Sequence, residues 1–172
     1  MDIRMTDAMF YDCDAQYLTA VSRYASRGVV LNEHKKAAMM RMNSKGYYKL
    51  PGGGLEYEES KEQAFIREVM EETGYPCEIL QELGVIEEHK NKNAFFQYSY
   101  CFLGRITGDR QETKLTPNEQ RLGFELSWMD LDEAISLMDQ TIQNNMSYGD
   151  SFMLRRDIMI LQYAQKIVKE LR

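Results

Sequence analysis

The chain has 172 residues, of which 44% are hydrophobic and 28% charged, the composition of a globular domain with one core. A formal net charge of −6 excludes the basic surface that wraps a nucleic-acid polymer. No apolar run approaches the roughly 18 residues of a membrane-spanning helix, so no membrane partner is expected.

The opening MDIRMTDAMF lacks the basic start and apolar stretch of a secretory signal. Cys13, Cys77 and Cys101 are scattered, with no CxxC pair, and predict reduced thiols rather than a disulfide frame or zinc site. Together these predict a cytoplasmic protein. Residues 1–22 read as an extension. Residues 27–31 and 37–42 are apolar runs around the polar turn 32–36 and predict a hairpin. Residues 43–46 form a second turn, and 47–50 a short strand that ends at Pro51. A helix follows, with Ser60 as N-cap, Gln63 closing a capping box, and Gly74 and Pro76 ending it. Residues 78–88 and 94–106 have strand character and are joined by the polar stretch 89–93. Phe96, Tyr98, Tyr100 and Phe102 alternate, which puts them on one sheet face, more as core than as a stacking platform. Residues 108–118 read as a loop and 122–129 as a strand. Asp130 caps a short helix through Met138, and 141–150 is a polar linker. Residues 151–171 form a long helix with Ile160, Ala164, Ile167 and Leu171 in one stripe. Ile158 and Leu161 widen that stripe, which predicts packing on the domain or a homodimer contact. Strands with helices inserted between them indicate a mixed α/β or α+β fold, expected to span residues 1–172 as one domain.

The chemistry concentrates in the capped helix. At 100° per residue, Glu71 lies about 60° to one side of Glu68 and Glu72 about 40° to the other, so three carboxylates share a face. Phe65, Ile66, Val69 and Met70 point to the neighbouring arc, toward a sheet. Ala64 on the acidic face leaves room for a ligand. Like charges at i, i+3 and i+4 near a helix C-terminus are unfavourable by a few tenths of a kcal/mol each, so a compensating partner is needed. A hard divalent cation with oxygen ligands fits. Gly52-Gly53-Gly54 allows close backbone approach, and Glu59 with Arg67 can clamp loop to helix.

Gly53, Glu59, Arg67-Glu68-Val69, Glu71-Glu72 and Gly74 fall on the signature Gx5Ex7REUxEExGU, and the chain therefore resembles the Nudix hydrolase superfamily. Tyr75 stands where the pattern has an aliphatic, a departure that touches packing rather than ligation. The lead-in Leu50-Pro51-Gly52-Gly53 and the segment 128–134 extend the resemblance over about residues 23–138. It implies an α/β/α sandwich around a mixed sheet with a loop-helix-loop motif. It also implies hydrolysis of a nucleoside diphosphate linked to another moiety, with Mg²⁺ or Mn²⁺ as cofactor. By the same resemblance Glu68, Glu71 and Glu72 are metal-binding and base-providing, and Gly53 offers a carbonyl ligand. Glu59 and Arg67 are structural. Glu119, with Glu125 as second choice, is a further acid. Arg41 and Lys49 are candidates for substrate binding, against the reading of each as an ordinary solvated cation. His34 and His89, in expected turns, receive no role. Motifs of ADP-ribose, dinucleotide and coenzyme-A cleavage are absent, which leaves nucleoside triphosphates or nucleotide sugars as substrates. The alternative is a nucleotide-sensing module that does not turn over.

Overall fold

The computed structural model describes residues 1–144 and 146–170. Eight strands form one mixed sheet: β1 (Asp2–Thr6), β2 (Arg23–Leu31), β3 (Ala37–Met42), β4 (Tyr47–Lys49), β5 (Gly52–Gly54), β6 (Cys77–Lys90), β7 (Phe95–Ile106) and β8 (Phe124–Met129). Four helices accompany it: α1 (Lys61–Thr73), α2 (Pro117–Leu122), α3 (Leu131–Ile142) and α4 (Tyr148–Glu170). The strand order is β1-β6-β7-β2-β3-β4, with β5 also paired to β2 and β8 to β3.

Successive strand residues point to opposite faces, and here both faces are covered. Val30, Ala38 and Phe102 pack with Phe65 and Val69 of α1. Their chain neighbours Val29, Ala37 and Cys101 join the other cluster, with Met138 of α3 and Phe152, Ile160 and Leu161 of α4. Strands buried on both sides read as near-continuous apolar runs, which is why 27–31 and 37–42 stand out in the sequence. The fold is the mixed α+β sandwich that the elements imply. No helix among the described residues is long and apolar enough to cross a membrane.

Helix α1 keeps its predicted signals. Ser60 and Gln63 exchange both bonds of the capping box, and Gly74 closes the helix in the left-handed conformation. Phe65 and Val69 are fully buried, but Ile66 lies on the outer side and is exposed. Ala64 is fully buried, so it leaves no space for a ligand.

Other elements differ from expectation. The hairpin of β2 and β3 meets only at Leu31↔Ala37, because β5 takes the edge of β2 from Ala25 to Arg27. Strand β3 instead pairs with β8 over its whole length. The N-terminal extension contributes β1, which runs parallel to β6 and buries Met5. His89 lies within β6 rather than in a turn. It is buried and stacked on Phe96, and its Nδ1 accepts the Leu18 N–H at 3.1 Å. Pro117 and Asn118, expected as loop, and Leu122, expected to start a strand, belong to α2. Thr116 and Glu119 make its capping box, and Pro117 occupies its first turn. Asp130 takes the N-cap position of α3 without a side-chain cap bond and pairs with Lys36 at 3.5 Å. Helix α3 runs on to Ile142 and α4 starts at Tyr148, which shortens the linker. Ile158, Ile160, Leu161 and Ala164 are buried within the chain, which accounts for the breadth of the apolar stripe. Leu171 lies outside the described residues.

A polar network fastens α4 to the sheet. Glu88 is fully buried and accepts from Gln97 Nε2 at 2.6 Å, Ser99 Oγ at 2.7 Å and Arg156 Nη1 at 3.2 Å. Asp157, also fully buried, accepts from Arg156 Nε and from the Leu50 N–H, each at 2.8 Å. Burial works to raise the Glu88 pKa, but Arg156, Lys90, Arg27 and the Ser99 bond outweigh it and hold it at about 2, below its ordinary 4.5. A depressed folded-state pKa gives stability that is complete above the unfolded value and is lost as pH falls through the folded one. The urea midpoint is therefore expected to fall between about pH 4.5 and 2. Glu88→Gln leaves buried Arg156 with Asp157 alone and takes the carboxylate from Lys90. It should lower the unfolding free energy at neutral pH by about 3–5 kcal/mol and flatten that acid slope.

Candidate active site

The glycine turn, α1 and α2 converge at the mouth of a cavity of about 650 Å³. Gly52 has φ +142°, a conformation that favours glycine, and a Cβ there would lie 2.4 Å from the Arg27 Cβ. A Cβ on Gly53 would lie 2.4 Å from Glu68 Oε1, so the missing side chain is what lets this carboxylate sit on the turn.

Arg67 orders the acidic face. Its Nε and Nη2 grip Glu59 at 2.8 and 2.9 Å, and Nη2 also donates to the Gly54 carbonyl at 2.9 Å. Nη1 donates to Glu68 at 2.9 Å and to Glu71 at 3.0 Å. The expected link of Glu59 with Arg67 is thus one part of a five-bond fan. The bond from Arg67 holds the Glu59 carboxyl below its usual range. For Glu68 burial is the larger influence and raises the pKa, opposed by Arg67 and Lys49.

Carboxylate oxygens of Glu68, Glu72 and Glu119 lie within 4.8 Å of one another. Glu71 is not in this group; it is half-buried and turned to Arg67. Glu119 reaches the group from α2 while one of its oxygens accepts the Thr116 N–H at 2.8 Å. Glu72 is 2% exposed. Burial, and then the charges of Glu68 and Glu119, raise its pKa to about 7 against the pull of Lys49.

Lys49 is buried, and its Nζ donates to Glu72 Oε1 at 2.6 Å and to the Gly52 carbonyl at 3.2 Å. The ammonium brings positive charge between Glu72 and the Gly52 carbonyl, next in the chain to the expected Gly53 ligand. Three convergent carboxylates plus a carbonyl are the hard oxygen donors that Mg²⁺ or Mn²⁺ prefers. The residues present fit a divalent ion.

Two sequence candidates lie elsewhere. Arg41 is exposed on β3 opposite Glu125 of β8, and neither lines the cavity. Glu125 instead accepts from Asn43 Nδ2 at 3.1 Å. The cations that do line the cavity include Arg23 and Arg27 of β2, which sequence reasoning missed. Their signal was present. RYASR puts two arginines at the same phase of a strand that is buried on both faces from Ala25 onward.

A model of the NUDIX domain matches residues 21–148. The chain belongs to the Nudix family. It is 35% identical over 80 residues to a Bacillus subtilis protein provisionally named 8-oxo-dGTP diphosphatase, covering 46% of this chain and 51% of that protein. The matched segments span about half or less of the curated relatives. Among solved structures, a NUDIX hydrolase from Nitrosomonas europaea superimposes with a TM-score of 0.62 at 19% identity, over 87% of this chain and 90% of that one. An ADP-ribose pyrophosphatase from Streptococcus suis gives 0.55 at 18% identity, over 85% and 91%. At these identities the likeness carries the Nudix fold.

The Arg67 fan makes a direct prediction. Lysine keeps the charge but cannot supply five planar donors. Arg67→Lys should lower the unfolding free energy by about 1–3 kcal/mol in urea titrations, and should leave the loop at Glu59 more open to proteolysis.

Proposed function

We propose that this protein is a divalent-cation-dependent pyrophosphohydrolase that cleaves the phosphoanhydride of a nucleoside diphosphate linked to another moiety. The observation that carries the reading is the Lys49 ammonium seated between Glu72 and the Gly52 carbonyl, beside Glu68 and Glu119, at the mouth of a large cavity. Membership of the Nudix family supports it.

In this reading Glu68, Glu72 and the Gly52 carbonyl hold the ion. A bound divalent cation would neutralise the diphosphate and polarise the anhydride. Glu119 retains an oxygen outside its capping bond and so can accept the proton of the attacking water. Water oxygen bonds to phosphorus, the bridging P–O bond breaks, and the two products leave as phosphates. Arg67 bonds to Glu68 and Glu71 and keeps them aligned. Glu71, held by Arg67, supports the face from beside the group of three. The fully buried Phe65 and Val69 fix the helix that presents these groups.

Incubation with Mg²⁺ or Mn²⁺ and a panel of nucleoside triphosphates and nucleotide sugars, with release of phosphate or pyrophosphate as readout, tests this. Turnover is expected and should stop in EDTA. Glu72→Gln and Glu119→Gln should each lower kcat by about 100-fold or more. Saturable nucleotide-dependent stabilisation with no product would instead identify a sensing module.

A further inference from the structure

The cavity extends along β2, β7 and α4, where Arg27, Gln97 and Arg156 line its floor. Arg27, Arg156 and Lys90 there meet two fully buried carboxylates, Glu88 and Asp157, which do not themselves line it. The carboxylates are already saturated. Glu88 has Gln97, Ser99, Arg156 and Lys90 as partners, and Asp157 has Arg156 and the Leu50 N–H.

Arg27 is left over. It is 4% exposed and lines the cavity, yet its one side-chain bond among the described residues runs from Nε to Ser99 Oγ, at 3.2 Å. Among the described residues no carboxylate lies within ion-pair distance of it. The other four N–H groups of this guanidinium, which lines the cavity, have no protein acceptor among those residues. A buried charge without a partner is costly, and such groups are ordinarily paired. Burial, and then the neighbouring charge of Arg156, lower the Arg27 pKa to about 10 against the pull of Asp157 and Glu88. Those two carboxylates are shared among three cations, which leaves this group one negative charge short among the described residues. Two residues along the same face is Ala25, fully buried and small, and two further is Arg23, exposed, its guanidinium beside Gly54. The strand thus sets a second cation at the mouth of the same channel. Arg27 is also the cross-strand partner of Gly52, so this floor adjoins the glycine turn.

We propose that Arg27 is the core of an anion subsite. It would receive a second acidic group of the substrate, a phosphate ester or a carboxylate, carried on the moiety beyond the scissile diphosphate, with Arg23 guiding it in. This rests on the hydrolase reading above and narrows its substrate class to diphosphates with a remote anion. A planar guanidinium fork suits either acid, because both offer paired oxygens.

The test uses the full chain in EDTA, where the unneutralised glutamates of the hydrolytic site repel anions. Thermal unfolding is followed while inorganic phosphate, or separately acetate, replaces chloride at constant ionic strength. Wild type should show saturable stabilisation. A response to phosphate alone identifies a phosphate ester as the ligand, and a response to acetate alone a carboxylate. Arg27→Gln should weaken the apparent affinity by roughly tenfold or more, and Arg27→Lys by less. Glu68→Gln should keep the response while losing hydrolysis. No saturable shift in wild type overturns the subsite whatever the variants do, as does an unchanged shift in both Arg27 variants. With metal restored, wild type should prefer a diphosphate substrate bearing a remote phosphate over its dephosphorylated analogue by about tenfold in kcat/KM, and Arg27→Gln should erase that preference. Hydrolysis without an Arg27-dependent anion response removes the subsite alone. The response without hydrolysis removes the catalytic reading alone.

Discussion

One guanidinium makes the acidic face possible. Glu59, Glu68 and Glu71 would repel one another, and a bare helix offers nothing near its C-terminal end to offset them. Arg67 reaches all three and the Gly54 carbonyl with five N–H groups in one plane. The same residue therefore closes the loop, fixes the helix register against the glycine turn and determines where Glu68 ends. Glu72 and Glu119 depend on that placement, since their oxygens gather around Glu68. Lys49 then brings positive charge to the gathered carboxylates from the other side.

Charge distribution reconciles an acidic chain with a polyanionic ligand. The net charge of −6 is spread over the whole sequence, while Arg23, Arg27, Lys49, Lys90 and Arg156 line one cavity. Several of these cations are committed to internal carboxylates. Arg27 and Arg23 of a single strand have no such ion pair among the described residues. Net charge thus speaks to solubility and to polymers, and says little about a small ligand in a concave site.

The sequence made the local features legible and left the long-range ones obscure. Ser60, Gln63 and Gly74 announce both ends of α1 because capping is written within a few residues. The spacing of Glu68, Glu71 and Glu72 follows from helix geometry alone. What it does not carry is the competition for each carboxylate, so the bond of Glu71 to Arg67 was not foreseen, while Glu119, the expected further acid, does lie with Glu68 and Glu72. Strand β1 was missed because its five residues carry no turn signal and its partner β6 begins 71 residues further on. Helix α2 was legible in Thr116, Pro117 and Glu119, but proline was read as a loop marker rather than as a first-turn residue. Arg27 was read only as the start of an apolar strand. That a buried strand position held arginine was the unused clue.

The Leu50 N–H bonds to Asp157, 107 residues away in sequence. Leu50 opens the turn that supplies the Gly52 carbonyl, while Asp157 lies midway along α4. This helix is therefore a strut for the turn. Loss of the chain's tail would unseat the turn from behind, and damage far from the reacting atoms would read as a defect in catalysis.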